Sequence, residues 1–266
     1  MVATDLDGTL LRSDKTVSPR TAAAMQRAQD AGIEVVWATA RAQHSVYLFA
    51  EQASFRGIAV CANGAVVLDL AEGVRIKQTC PISLEVALAA ISQVREMIPG
   101  SVFALVGPTG FIAERGYAEM SVFGDHHRHP HKMPVVDRLE SLDDAIVKIC
   151  ARHPEMPVAE LFALVTSLAP DQIEMTYSLA PYVEMAAAGI TKASALEVLA
   201  TERGIDASEV AAIGDAMNDF AMLTWAGTAV APANAIPDIT EIADIFVPSN
   251  NDDGVAVYLE SLLDLG

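Results

Sequence analysis

The sequence predicts an α/β fold in which a parallel sheet is flanked by helices and interrupted by an inserted α+β region. Short apolar runs suited to buried strands alternate with segments of helical periodicity. Several of these runs end in polar or charged residues. After Pro81 the pattern changes to an amphipathic helix and further short strands, and the first pattern returns near Tyr182.

Near the start of the chain, a short β-prone run from Val2 ends in Asp5 and Asp7, and Gly8 allows a sharp turn. Side chains at i and i+2 of an extended segment point to the same side, so the two carboxylates should converge. At about 4 Å they would repel by roughly 4 kcal/mol at an effective dielectric of about 20. A divalent cation or a shared proton would relieve this repulsion. The alternative is that Asp-Gly forms an ordinary turn after a strand.

The next segment predicts a helix and a second strand. Ser18 suits the N-cap position, Pro19 the first helical position and Gly32 the end of the helix. Residues 33–38 (IEVVWA) form a continuous apolar run, as expected of a parallel strand buried on both faces. Strand, helix and strand of this length form a right-handed βαβ unit.

The second strand ends in Thr39-Ala40-Arg41, and a helix should follow to about Ala53. In open α/β sheets, ligands bind where strands end and helices begin. A threonine hydroxyl and the amides of a helix N-terminus can hold a phosphate group. Thr39 is equally suited to cap the helix, so both interpretations stay open.

A third apolar run, 57–61, leads to Asn63, and residues 66–69 and 74–79 form an expected hairpin. Ser83 is expected to cap an amphipathic helix of 3-4-3-4 apolar spacing. The sequence thus predicts a discontinuous core, residues 1–80 and 184–266, with an α+β cap at 81–183.

Four of the six histidines lie in the segment from His126 to His131. Histidine-rich segments can bind transition metals. Pro130 and the neighbouring basic residues instead favour an exposed loop, and no cysteine or carboxylate stands at a recognisable ligand spacing. We expect a solvated loop that can face the pocket, and we place none of these histidines in the site.

The core pattern returns with a helix from Lys192 to about Arg203, ended by Gly204. A lysine in the first turn of a helix costs about 0.3–1 kcal/mol beside the positive end of the helix dipole, unless an anion binds next to it. The alternative is a solvated surface lysine. A buried strand at 210–213 is then followed by Asp215 and Asp219. Asp219 also suits a capping role.

These strand ends open on one edge of the sheet, because parallel strands end on the same side. Together they supply carboxylates, a hydroxyl, a cation and oxygen ligands for a hard metal. This combination is typical of phosphoryl transfer.

Composition limits the possible partners. The chain has 266 residues with 17 Lys and Arg, 35 Asp and Glu and a net charge of −18, which disfavours nucleic acid and anionic membranes. Neither an apolar run of about 18 residues nor a signal-peptide pattern is found. The three cysteines are far apart, which suits a reducing cytoplasm without disulfides or a zinc cluster.

The motifs resemble those of the haloacid dehalogenase (HAD) superfamily, and within it the Cof-type phosphatases with a type-IIB cap. DLDGTLL resembles the first motif, ATAR the second, GITKASAL the third and GDAMNDFAML the fourth. CANGAVV and the C-terminal segment NAIPDITEIADIFVPSNNDDGVAVYLESL are also similar to Cof-type members. The resemblance covers both core segments, whereas the cap resembles the family in size, position and element pattern. It implies a Rossmann-like core with a parallel sheet.

The resemblance implies a Mg²⁺-dependent phosphatase acting on a sugar phosphate or a related phosphorylated cofactor. Asp5 would become an aspartyl-phosphate, Asp7 would act as acid and base, and Thr39 and Lys192 would bind phosphoryl oxygens. The implied metal ligands are Asp5, the Asp7 main-chain carbonyl, Asp215 and Asp219. The implied substrate-binding residues are Thr39, Ala40, Arg41, Asn63, Lys192 and Asn218.

Two departures from the family pattern are present. Ala40 stands where the second motif usually has glycine, so its methyl group favours negative φ and could crowd a substrate. Only four residues precede Asp5, so the central strand must be short, and a start codon further upstream stays open.

Two alternative functions remain open: a phosphomutase that uses the same nucleophile, and a binding protein for phosphosugars without catalysis. We expect a monomer or homodimer.

Overall fold

The computed structural model describes residues 1–71, 73–167 and 172–264. Its strands are β1 (Val2–Thr4), β2 (Val35–Ala38), β3 (Ile58–Cys61), β4 (Val66–Asp69), β5 (Arg75–Thr79), β6 (Val102–Val106), β7 (Phe111–Glu114), β8 (Val135–Val136), β9 (Lys148–Arg152), β10 (Ile173–Tyr177), β11 (Val183–Ala187), β12 (Ala211–Ile213), β13 (Thr228–Pro232) and β14 (Ile245–Val247). Its α-helices are α1 (Pro19–Asp30), α2 (Gln43–Ala53), α3 (Leu84–Met97), α4 (Arg115–Glu119), α5 (Phe123–His126), α6 (Val158–Ser167), α7 (Lys192–Arg203), α8 (Phe220–Trp225), α9 (Pro237–Thr240) and α10 (Gly254–Leu263).

The first sheet has eight strands in the order β14-β13-β12-β1-β2-β3-β4-β5. The pairs from β14 to β3 are parallel, whereas β4 and β5 are added antiparallel as a hairpin. The short strand β1 therefore lies between β12 and β2. The predicted α/β class is confirmed, and the ends of β1, β2, β3 and β12 lie at one edge.

Local capping signals explain where the helices begin and end. The Ser18 hydroxyl accepts a hydrogen bond from the Thr21 amide at 3.0 Å, and Pro19 occupies the first helical position. Ser83 caps α3 in the same way through the Val86 amide at 3.2 Å. Gly204 ends α7 in the left-handed conformation. These boundaries confirm the predicted starts of α1 and α3 and the predicted end of α7.

Helices cover both faces of the first sheet. Buried side chains of α1, α2 and α10 pack on one face, and those of α7, α8 and α9 pack on the other. Trp37 of β2 stacks on Phe55, with ring centroids 4.1 Å apart, beneath the first of these layers. Burial on both faces explains why the central strands have continuous apolar sequences.

The second sheet has six strands in the order β10-β11-β9-β6-β7-β8, and its pairs are antiparallel except for β7 with β8. Helices α3 and α6 pack on one face. The division of the chain into domains stays a proposal. Strand β11 pairs with β9 and β10 and thus belongs to the second sheet. If the domain boundary follows the sheets, the second core segment begins after Ala187 and not at the predicted residue 184.

Among the helices of the described residues, none combines the length and the apolar character required to cross a membrane.

Candidate active site

Five loops at one edge of the first sheet bring the polar side chains together. Asp5 and Asp7 follow β1, Thr39 follows β2, Asn63 follows β3, and Asp215 follows β12. Lys192 joins them from the first turn of α7. This geometry results from the parallel strand order, because the carboxyl ends of these strands face the same side.

Lys192 lies between two aspartates. Its Nζ donates to Asp5 Oδ1 at 2.5 Å and to Asp219 Oδ1 at 2.6 Å. Burial by itself would lower the pKa of Lys192, but the charges of Asp219 and Asp5 outweigh burial and raise it. The residue is only 1% exposed, so the interpretation as a solvated surface lysine is wrong.

Asp5, Asp215 and Asp219 form a buried acidic cluster in which one carboxylate oxygen of each lies within 4.8 Å of the others. Burial raises the pKa of Asp5 well above its ordinary value, although the Lys192 charge opposes this. Burial, followed by the charge of Asp219, raises the pKa of Asp215 to about 7. One ammonium does not neutralise three buried carboxylates. The site therefore fits a hard divalent cation such as Mg²⁺, which prefers carboxylate oxygens.

The Asp219 carboxylate has a local structural role as well. Its Oδ2 accepts hydrogen bonds from the amides of Asp215 at 2.9 Å and Ala216 at 3.1 Å. The Thr9 hydroxyl donates to Asp215 Oδ1 at 2.6 Å. The loop after β12 is thereby held in one conformation, with both carboxylates turned toward Asp5.

The Asp7 side chain points away from this acidic cluster and toward two cations. Arg41 donates to both of its oxygens, at 2.5 and 2.6 Å, and Lys15 Nζ donates to Oδ1 at 2.8 Å. Burial would raise the pKa of Asp7, but the hydrogen bonds and charges of Arg41 and Lys15 outweigh it and lower the pKa to about 2. Lys15 could not be predicted as a site residue from the sequence, because it lies in a hydrophilic turn with no periodic signal.

Thr39 does not cap α2, whose N-cap is Ala42. The Thr39 hydroxyl instead accepts from the Arg41 amide at 3.1 Å, and the residue is 1% exposed. The capping interpretation is therefore wrong. The φ angle of Ala40 is not positive. Its methyl group is thus compatible with the backbone of the loop.

Asn63 and Asn218 form a hydrogen-bonded pair at the rim of the site, with Asn218 Nδ2 donating to Asn63 Oδ1 at 3.1 Å. Ala62 and Asn63 have φ values of 50° and 54°, an unusual conformation for non-glycine residues. Asn63 Nδ2 donates to Glu184 of the second sheet at 3.0 Å. Glu184 and its partner Lys148 could not be predicted from the sequence, because the second sheet has no recognisable motif.

A cavity of about 230 Å³ opens over these groups and is closed by the second sheet. Its core side includes Asp5, Asp7, Lys15, Thr39, Arg41, His44 and Asn218. Its other wall includes Val106, Phe111, His126, Lys148, Leu179 and Tyr182. The cavity thus has a charged floor and a largely apolar and aromatic cover.

Only part of the histidine-rich segment is solvated. His129 and His131 are exposed, whereas His126 is buried, stacks on Tyr182 and lines the cavity. Burial lowers the pKa of His126 well below its ordinary value, so the ring is neutral. Within the described part of the chain, the only group with metal-ligand geometry is the acidic cluster, which contains no histidine.

Comparison with known proteins places this chain among hydrolases. A sequence model of the haloacid dehalogenase-like hydrolase family matches residues 2–259. The chain is 28% identical over 270 residues to the 5-amino-6-(5-phospho-D-ribitylamino)uracil phosphatase YitU of Bacillus subtilis, covering 100% of this chain and 98% of the relative. It is 26% identical over 275 residues to the pyridoxal phosphate phosphatase YbhA of Escherichia coli, covering 99% of this chain and 98% of the relative.

Solved structures share the fold. SMU.1108c from Streptococcus mutans superposes with a TM-score of 0.86 at 22% identity, covering 99% of this chain and 98% of that chain. A haloacid dehalogenase-like hydrolase from B. subtilis superposes with a TM-score of 0.81 at 25% identity, covering 98% of this chain and 99% of that chain. The similarity extends over both sheets.

Proposed function

Since this chain belongs to the haloacid dehalogenase-like hydrolases, we propose that it is a Mg²⁺-dependent phosphatase of small phosphorylated metabolites that works through an aspartyl-phosphate on Asp5. The observation that carries this proposal is the contact of buried Lys192 with both Asp219 and Asp5, of which Asp5 lines the cavity. The contact places a nucleophilic carboxylate beside a cation that can bind phosphoryl oxygens.

Asp5, Asp215 and Asp219 are the side chains that would hold Mg²⁺, since their oxygens already lie within 4.8 Å of one another. The family resemblance adds the main-chain carbonyl of Asp7. When bound, the metal would neutralise charge on the phosphoryl group and on the acidic cluster. Burial, and after it the neighbouring carboxylates, raise the pKa values of Asp5 and Asp215, and a bound cation would favour their ionised forms.

In the first step, an Asp5 carboxylate oxygen attacks phosphorus and the bond from phosphorus to the leaving oxygen breaks. Asp7 supplies the proton that this oxygen takes up. Arg41 and Lys15 hold Asp7 ionised in the structure. The acid step therefore requires that this pairing weakens when substrate binds, so that Asp7 can carry a proton.

In the second step, the Asp7 carboxylate removes a proton from water while the water oxygen attacks phosphorus. The bond between phosphorus and Asp5 then breaks, which releases inorganic phosphate and regenerates the Asp5 carboxylate. The low pKa of Asp7 favours this base form. Lys192 and the Thr39 hydroxyl would steady the charge on the phosphoryl oxygens in both steps.

The remaining residues at the rim are proposed to contact the substrate. Arg41 and Ala40 line the cavity beside Asp7, and Asn218 lines it beside the acidic cluster. Asn63 acts through its hydrogen bond to Asn218 or directly on the phosphate. The second sheet would cover the leaving group and exclude bulk water.

A sugar phosphate or a related phosphorylated cofactor is the substrate class that we propose. Support comes from the cavity volume of about 230 Å³, which suits a small ester, and from relatives named for a phosphoribitylamino-uracil and for pyridoxal phosphate. The free cysteines support a cytoplasmic location, and the net charge of −18 disfavours binding to nucleic acid and anionic membranes. A monomer or homodimer stays our expectation.

The test is a screen of phosphorylated metabolites for phosphate release, with Mg²⁺ and with a chelator. We expect release of free phosphate that depends on Mg²⁺ and is lost in Asp5→Asn. Isomerised sugar phosphate without free phosphate would instead indicate a mutase. Wild-type protein that releases no phosphate from any ester, or Asp5→Asn protein as active as wild type, would contradict the proposal.

A further inference from the structure

A buried chain of hydrogen bonds connects the second sheet to the edge of the first. Lys148 of β9 donates to Glu184 Oε1 at 2.6 Å and to the main-chain oxygen of Ala40 at 2.9 Å. Glu184 of β11 accepts with its other oxygen from Asn63 Nδ2 at 3.0 Å, and Asn63 in turn accepts from Asn218 at 3.1 Å. The chain thus contacts the loops after β2, β3 and β12.

Folding stability alone does not explain this ion pair. Lys148 and Glu184 are only 3% and 1% exposed, so both charges are removed from water. The desolvation of such a pair often equals or exceeds its Coulombic gain, and apolar side chains of similar volume are often as stable. An arrangement that costs free energy in this way is expected where orientation matters.

The ion pair fixes groups that are otherwise free to rotate. An asparagine amide can flip by 180°, which exchanges its donor and its acceptor. The Glu184 carboxylate, paired with Lys148, can accept hydrogen bonds but not donate them. Asn63 must therefore turn its NH₂ group to Glu184 and its oxygen to Asn218. Lys148 holds the Ala40 carbonyl at the same time, and this carbonyl precedes Arg41.

We propose that Lys148 and Glu184 are positioning residues, through which the second sheet orients Asn63, Asn218 and the loop that carries Arg41 for catalysis. This inference rests on the proposed function, which places those three residues beside the substrate. The ion pair lies within the second sheet, and its hydrogen bonds to Ala40 and Asn63 join that sheet to the strand ends of the first. A displacement of about 1 Å in such groups can cost about 100-fold in rate.

The test compares the double variant Lys148→Met/Glu184→Gln with wild type. The double variant removes both charges and keeps similar volumes, so no unpaired buried charge remains. We expect a Tm close to that of wild type, a loss of 10- to 100-fold in kcat and a change in KM of less than threefold. Both single variants should lower kcat to a similar extent and should also lower Tm, because each leaves one buried charge unpaired.

Glu114→Gln is the matched control. Glu114 is also a buried carboxylate of the second sheet, paired with Arg95 at 2.5 Å and 5% exposed, but it is bonded only to other residues of that sheet region. The Glu114→Gln protein should have a lower Tm than wild type, and its kcat at the assay temperature should stay within twofold of wild type.

Several outcomes would overturn the inference. One is a double variant with the kcat of wild type. Another is a Glu114→Gln protein whose kcat falls as far as that of Glu184→Gln. The loss of kcat in Glu184→Gln would then be explained by general destabilisation of the second sheet. A third is a large loss in Lys148→Met with none in Glu184→Gln, which would make Lys148 a direct substrate contact. Full activity in the double variant leaves the proposed function intact, whereas wild-type protein inactive on every ester overturns both.

Discussion

Lys192 Nζ lies 2.5 Å from Asp5 Oδ1, although 187 positions separate the two residues in the sequence. The contact forms because α7 begins against the loop that follows β3, at the sheet edge where β1 also ends. It joins the proposed nucleophile to the cation that would bind the phosphoryl group.

Replacing Asp5 by Asn should reduce phosphate release by roughly 1000-fold or more, because no carboxylate remains to form the covalent intermediate. Tm should not decrease, since the raised pKa of Asp5 shows that its buried charge opposes folding. Mass spectrometry after rapid acid quench should detect a phosphorylated protein in wild type and none in the variant. Asp30→Asn, at an exposed helix end, is the control. A phosphorylated Asp5→Asn protein would contradict the assignment.

Lys192→Met should destabilise the protein by about 3–5 kcal/mol, since it leaves two buried carboxylates without their cation. Mg²⁺ should restore part of this loss by binding the same carboxylates. Denaturant titrations with and without Mg²⁺ measure both effects. If the variant is as stable as wild type, Lys192 does not balance the acidic cluster.

The stabilisation by Mg²⁺ should increase with pH between about 5 and 8. Asp215 has its pKa raised to about 7 in the folded protein, so protons compete with the metal below that value. Without metal, the pKa of the Asp215 carboxyl is about 4 in the unfolded chain and about 7 in the folded protein. The free energy of unfolding should therefore decrease as pH rises from about 4 to about 7. The lowered pKa values of His44 and His126 act in the opposite direction.

The pH experiment is therefore the difference in Tm with and without Mg²⁺ at each pH, in which the histidine contribution cancels. Asp215→Asn, which lacks one of the three carboxylates, should show a smaller difference than wild type at every pH. A difference that is equally large at pH 5 and pH 8 would exclude metal binding at the acidic cluster.

Gly64→Ala should destabilise the protein by about 2 kcal/mol or more and lower kcat. Gly64 has a φ of 108°, and a Cβ atom there would overlap the main-chain oxygen of Thr191, directly before Lys192. Gly73 is the matched control, because its φ of 98° carries a similar conformational cost but no atom lies within 4 Å of the added Cβ. Equal losses in the two variants would show that close packing at Gly64 has no specific role.

Ala40→Gly should change kcat/KM by less than about threefold with the best substrate of the screen. The loop already accommodates the methyl group without a positive φ, so removing it relieves no strain. Stability should fall by about 0.5–1 kcal/mol, because glycine loses more conformational freedom on folding. A large gain in activity on bulkier esters would show that the methyl group restricts the substrate.

The predictions from sequence were most successful where the signal is local. The polar ends of β1, β2 and β12 could be identified because buried strands, turns and helix caps depend on residues within a few positions of one another. Thr39 was ambiguous for the same reason, since a threonine before a helix satisfies the capping pattern as well as the phosphate pattern. Its actual partner, the Arg41 amide, depends on the path of the loop.

By itself, the sequence determined the alternation of strands and helices, the common edge at which the polar strand ends meet, and the acidic character of the site. The tertiary structure decided which charges pair: Arg41 and Lys15 with Asp7, and Lys148 with Glu184. It also decided that His126 is buried in the cavity wall while His129 and His131 are exposed. Those outcomes depend on how the second sheet lies over the first, and packing between distant segments has no local pattern in the sequence.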